Sequence, residues 1–245
     1  RRGGGAKLAP SDQLGLMNDI RARVMAGYQP VPDYLDLAAS VPSDPAPEVW
    51  QDVVGSLGSI DYYYQGDDVH QAAFRKYALA TLQPVFARLG WEGRDGESEP
   101  TKQLRTSLIG ALSGLGDKAI IAEAQRRYAA GGDAVPVVLR RVILGIVARN
   151  ADAATWDKLH AQAKAETTPL IKDQLYGLLA SAKDDALAQR ALDLALTDEP
   201  GATNSAGMIA RVSGEHPDMA FDFAVAHRDE VYKLVDSTSG SRYYP

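Results

Sequence analysis

The sequence predicts an all-α fold built of stacked helical hairpins, and three observations carry that prediction. The first helices of four successive pairs begin near Lys102, Val135, Pro169 and Thr203, a period of about 34 residues that lies within the range of helical repeats. The second helices start after Asp117, Asp152, Asp184 and Asp218. An aspartate placed there accepts hydrogen bonds from the free amides of the first turn and offsets the positive end of the helix dipole. Apolar residues then recur at helical intervals: Leu104, Leu108, Ile109, Leu112 and Leu115; Val138, Leu139, Val142, Ile143 and Ile146; Leu175, Leu178 and Leu179. A hairpin with one apolar stripe cannot bury it alone. Stacking on a neighbour gives a continuous core with a concave and a convex face, a HEAT/armadillo-like α-α superhelix curved into a bowl. An irregular helical bundle is the alternative, and it is all-helical too.

The elements follow in order. Residues 1–10 are glycine-rich and aperiodic, a linker or tag remnant. The front helical part, residues 11–93, starts with Ser11 capping a helix from Leu14 to Met25 that stops at Gly27; Pro32 opens a second helix. Pro42 to Pro47 is a turn, and a third helix runs from Pro47 to about Ile60. It leads into Tyr62, Tyr63 and Tyr64, which cannot all face one side of a helix, so at least one is exposed or lines a groove. Asp67 starts a long helix in which Pro84 removes a backbone donor, and a kink or break near Thr81 is expected. After the Gly90–Glu97 turn the repeat array occupies residues 94–235, closing with a partial helix from His227 to Val235, and residues 236–245 form a tail. All of these parts are read as one helical domain.

Composition narrows the function. The 245 residues carry a formal charge of −6 and no cysteine. Disulfides and thiolate metal sites are excluded, and no basic field exists to hold nucleic acid or anionic lipid. No apolar run approaches the roughly 20 residues that span a bilayer, so a soluble, non-membrane protein is expected, with the cytoplasm the favoured location. Arg1 in place of methionine, and an end at Pro245 without a closing helix, suggest an excised piece.

No catalytic set is visible. The four histidines, His70, His160, His216 and His227, never form His-Glu-x-x-His or its inverse, so no metal site is expected and their reading is solvated or capping. Gly110 to Lys118 lacks the adjacent Gly-Lys-Ser/Thr and the preceding strand of a phosphate loop, and Gly-x-Ser-x-Gly is absent. Arg126-Arg127 and Arg140-Arg141 read as solvated faces. Arg149 and Arg211 end the first helices of two hairpins, where a cation suits the negative end of the dipole and could also hold a carboxylate. By these means alone the chain is a binding or structural module.

The order of several short motifs adds to this. Leu16-Met17-Asn18-Asp19, Ala26-Gly27, Tyr34-Leu35 and Val49-Trp50-Gln51 come first, followed by Leu89-Gly90-Trp91-Glu92, Leu104-Arg105, Gly116-Asp117 and Ala122-Glu123-Ala124. Trp156-Asp157-Lys158-Leu159 and Ala220-Phe221-Asp222-Phe223 complete the series. Together they resemble the C-terminal helical domain of gluzincin zinc aminopeptidases, of the aminopeptidase N, puromycin-sensitive and endoplasmic-reticulum types, over most of the chain. The resemblance implies a fragment of an enzyme that removes N-terminal residues from peptides. Its zinc, held by His-Glu-x-x-His and a distant glutamate, would belong to a catalytic domain upstream, so this chain holds no cofactor and is inactive alone. The implied partners are that catalytic domain and peptide substrates, and the implied role is to cover the active-site chamber. Ile209-Ala210-Arg211 is similar to a segment whose arginine meets a peptide's C-terminal carboxylate in the endoplasmic-reticulum type. Tyr62 or Tyr63 falls near a Tyr-Lys pair of related role, without the lysine. The alternative is a stand-alone helical-repeat scaffold that binds another protein.

Overall fold

A computed structural model describes residues 8–42 and 46–235, with only the backbone of Ala202 and Thr203. The expected N-terminal segment through Lys7, the middle of the Pro42 to Pro47 turn and the tail from residue 236 lie outside the described residues. Those described form thirteen α-helices and no strand. They divide into two compact units, Arg1–Ala122 and Glu123–Pro245.

In the first unit, α1 (Pro10–Met25) and α2 (Val31–Ser40) pack together, α3 (Pro47–Tyr63) packs on α1, and α5 (Glu99–Gly114) packs on α3 and on α4 (Asp68–Leu89). Met17, Tyr34, Trp50, Leu57, Leu82, Leu104, Leu108 and Leu112 form the core. Ser11 is not the cap of α1. The helix begins one residue earlier at Pro10, with Ala9 at the cap and no side-chain hydrogen bond, because proline preorganises a first turn without needing a donor. Asp67 does cap α4, accepting from the His70 amide at 3.2 Å. Nor does α4 break at Pro84. Phe74, Ala78, Leu82, Val85 and Leu89 anchor its buried stripe on both sides of the proline, while Pro84 and Ala80 are exposed, so water can take the carbonyl that lost its donor.

The second unit contains most of α6 (Lys118–Ala130), then α7 (Arg140–Arg149), α8 (Ala153–Ala165), α9 (Pro169–Leu179), α10 (Asp185–Ala195), α11 (Ala202–Val212), α12 (Pro217–Ala226) and α13 (Arg228–Leu234). Its core gathers Trp156, Leu159, Tyr176, Leu179, Leu192, Met208 and Val212. Asp117, Asp152 and Asp184 cap the second helices of their pairs, with amide contacts of 2.9 Å from Ala119, 2.8 Å from Thr155 and 3.1 Å from Leu187. Asp218 does not. Pro217 starts α12, so the cap is His216, and Asp218 sits in the first turn, where its charge meets the dipole without a cap bond. The first helices begin at Glu99, Arg140, Pro169 and Ala202. Val135 does not start one: a 3-10 turn, Val137–Leu139, precedes α7, since Pro136 offers no amide to a helix. That turn exposes Val138, which was expected in the buried stripe.

Candidate functional site

The candidate residues lie in both units, and each unit is described by itself. At the end of α3, Tyr62 and Tyr63 are exposed and meet edge to face with ring centres 6.2 Å apart. Tyr64 turns inward against Phe74, with ring centres at 5.7 Å. Tyr63 and Tyr64 stand at a cleft of about 450 Å³ whose wall includes Val24, Met25, Val31 and Ile60. Three successive residues point about 100° apart on a helix, which is why two rings remain outside when the third is anchored. The structure thus brings Tyr62 and Tyr63 together. No lysine stands beside either in sequence.

In the second unit, Arg211 occupies the last turn of α11 and is exposed. Its guanidinium lies over Gly177, in the last turn of α9. A β-carbon built on Gly177 would sit 3.4 Å from Arg211 Nε and 3.6 Å from Cζ. Among the described residues no hydrogen bond or ion pair holds this side chain. Arg149, the other helix-end arginine, is occupied: its Nε lies 2.7 Å from Glu215 Oε1, and both side chains are half-buried. Helix-end placement alone offered both arginines for holding a carboxylate, and the family resemblance pointed to Arg211. Of the two, only Arg211 is without an ion-pair partner among the described residues, and a planar guanidinium matches a carboxylate with two parallel hydrogen bonds.

What orients α9 and α11 was not visible in the sequence. Glu199, in the loop between α10 and α11, lies 2.5 Å from His160 Nε2, accepts the Tyr176 hydroxyl at 3.1 Å and stands 3.1 Å from Lys164 Nζ. Burial works to raise its carboxyl pKa, but His160, Lys164 and Tyr176 outweigh it and the net displacement is downward. Burial, reinforced by the Glu199 charge, pushes the Tyr176 phenol up to about 12, so it stays protonated and donates. Asn204 on α11 also donates to Asp173 on α9 at 2.8 Å. Asp173 and Gly177 are one helical turn apart, as Asn204 and Arg211 are two, so the same seam carries both contacts.

Two of the histidines, expected to be solvated or capping, are held inside the second unit. His160 joins Glu199, and His216 lies 2.9 Å from the Ala182 carbonyl and 3.2 Å from Asp185. His70 is exposed beside Asp67. Arg127, expected on a solvated face, is buried against Glu123 at 2.8 Å because the following turn folds over it. Among the described residues no group of three or more His, Asp or Glu is arranged to hold a metal ion. No helix among them is long and apolar enough to cross a membrane.

The comparisons with known proteins agree with one another. Aminopeptidase M1-A of Oryza sativa subsp. japonica is 27% identical over 202 residues, covering 79% of this chain and 23% of that protein. Aminopeptidase M1 of Arabidopsis thaliana is 24% identical over 249 aligned residues, 96% of this chain and 27% of the relative. Aminopeptidase 2, mitochondrial, of Saccharomyces cerevisiae is 23% identical over 194 residues, 76% of this chain and 20% of the relative. The chain therefore spans about a quarter of the length of these relatives. A sequence model of the ERAP1-like C-terminal domain matches residues 2–244, nearly the whole chain, and the chain belongs to that family.

Proposed function

We propose that this chain is the C-terminal helical domain of a zinc-dependent aminopeptidase, inactive by itself, which covers the active-site chamber and contacts peptide substrate. The observation that carries the reading is the exposed residue Arg211, whose guanidinium has no hydrogen bond or ion pair among the described residues and rests on Gly177. Such a group takes the C-terminal carboxylate of a peptide. Tyr62 and Tyr63 supply stacking and hydroxyl contacts for the peptide backbone in the first unit. Among the described residues no His, Asp or Glu group is arranged to hold a metal ion, and in this reading the zinc sits in the catalytic part of the polypeptide, the chain's first partner. The exposed Val137, Val138, Leu170 and Ile171 at the starts of α7 and α9 support docking against such a protein surface. The same residues would serve the alternative, a stand-alone scaffold for a separate protein.

The test is kinetic. In the enzyme carrying this domain, Arg211→Ala should raise KM about tenfold for peptides with a free C-terminus, the loss of roughly one charge-assisted hydrogen-bond pair, and leave C-terminally amidated peptides unchanged. Equal effects on both peptides would refute the carboxylate role. Robust peptide hydrolysis by the isolated chain would refute the assignment as a non-catalytic domain.

A further inference from the structure

We propose that Gly177 is the positioning residue for Arg211: the bare helix surface it leaves on α9 is the seat on which the guanidinium lies, and the seat sets where the fork points. The inference rests on the carboxylate reading for its functional arm and on geometry for the rest.

A glycine in a helix interior is a cost of about 1 kcal/mol relative to alanine. Gly177 is the ninth residue of the 11-residue α9, still inside the helix and beside the buried Tyr176, with no left-handed backbone to require it. Turn geometry therefore does not explain it. What does lie over it is Arg211, whose Nε, Cζ and Nη2 are 3.4, 3.6 and 3.8 Å from the position of a β-carbon. Three atoms of one guanidinium at nearly equal distance describe a plane resting on the helix, not a chain end passing by. A methyl group at that point reaches ordinary contact and is tolerated. Anything that branches or extends beyond it occupies the guanidinium's own volume.

The surroundings fix the seat. Tyr176 hydrogen-bonds Glu199, which sets the rotation of α9, and the Asn204 to Asp173 hydrogen bond ties α11 to α9 one turn along α9 from Gly177. An arginine has four rotatable side-chain bonds, and lying flat on a fixed surface removes much of that freedom before a ligand arrives. Gly177 thus preorganises the fork without touching a ligand.

The experiment uses Gly177→Leu, the milder Gly177→Ser and Gly177→Ala in the enzyme carrying this domain, with thermal unfolding to confirm that each folds. Two readouts follow. The first is the reaction of Arg211 with phenylglyoxal, followed by mass spectrometry of the peptide containing it. Displacement from the seat should raise the rate at least threefold in Gly177→Leu, less in Gly177→Ser, and leave Gly177→Ala within about twofold of the parent. The second is the KM ratio of amidated to free-acid peptide, which should collapse in Gly177→Leu as it does in Arg211→Ala, and persist in Gly177→Ala. Unchanged phenylglyoxal rates in Gly177→Leu and Gly177→Ser overturn the seat. A raised rate with a KM ratio that even Arg211→Ala leaves intact keeps the seat and refutes the carboxylate reading instead. A ratio lost in Arg211→Ala but intact in a displaced Gly177→Leu shows that the seat does not control the fork, and overturns the positioning role.

Discussion

Arg105 faces Glu97 across two parallel hydrogen bonds, Nη1 to Oε2 and Nη2 to Oε1, both 2.5 Å, with the two side chains 4% and 8% exposed. Two further guanidinium hydrogens, on Nε and Nη2, reach the carbonyls of Gly90 at 3.1 Å and Leu89 at 3.4 Å. This arginine therefore ties the Gly90–Glu97 turn to α5 inside the first unit. Breaking a buried pair leaves an uncompensated charge, so Arg105→Ala should destabilise the unit by about 3 kcal/mol in urea unfolding. The double variant Arg105→Met/Glu97→Leu should recover most of that loss, and failure to recover would mean that the carbonyl contacts dominate.

Acid should loosen α6 through one residue. Glu123 pairs with Arg126 and Arg127, and the hydrogen bond from Arg126 first, against opposing burial and with Arg127 adding, takes its pKa from 4.5 to about 2. A folded-state pKa below the unfolded one contributes stability that is complete above about pH 4.5 and is lost as pH falls toward 2. Stability measured against pH should decline through that window. Glu123→Gln should flatten the corresponding part of the slope while leaving the contribution of Glu97, whose pKa Arg105 also lowers.

Helix caps offer a matched comparison. Asp184→Ala removes an acceptor that the Leu187 amide uses at 3.1 Å and should cost about 1 kcal/mol. Asp218→Ala removes only a first-turn charge from α12 and should stay within about 0.5 kcal/mol, as measured by thermal unfolding.

Trp156 gives an optical handle on the second unit. Its indole Nε1 donates to the Leu179 carbonyl at 3.1 Å in the core, Arg190 lies 4.2 Å over its ring, and His160 packs alongside. Trp156→Phe leaves that carbonyl without its indole donor and removes the best cation-π face. A loss of about 2 kcal/mol is expected, read by far-ultraviolet circular dichroism against denaturant.

The helices were legible in the sequence because their determinants are local. An aspartate cap is a contact two or three residues long, as at Asp117, Asp152 and Asp184, and an apolar stripe such as Leu104, Leu108 and Leu112 declares itself within one helix. Where two local signals competed, proline decided: Pro10 displaced Ser11 and Pro217 displaced Asp218, since a residue already fixed in helical φ defines the first turn. Pro84 shows the reverse. Its local signal predicted a kink or break, and apolar anchoring on both sides kept α4 unbroken. The candidate tyrosines could be found from their run of three. Which two face outward depended on Phe74 capturing Tyr64.

The sequence by itself determined an all-helical chain, its approximate boundaries, its family resemblance and two arginines at helix ends. Only the tertiary structure shows what each of those arginines meets, Arg149 the carboxylate of Glu215 from another helix pair and Arg211 the bare surface of Gly177. It also decided that Glu199 gathers His160, Lys164 and Tyr176. Caps and stripes are written within a few residues of one another, whereas the state of a charged side chain is set by whichever group the packing of distant helices brings to it.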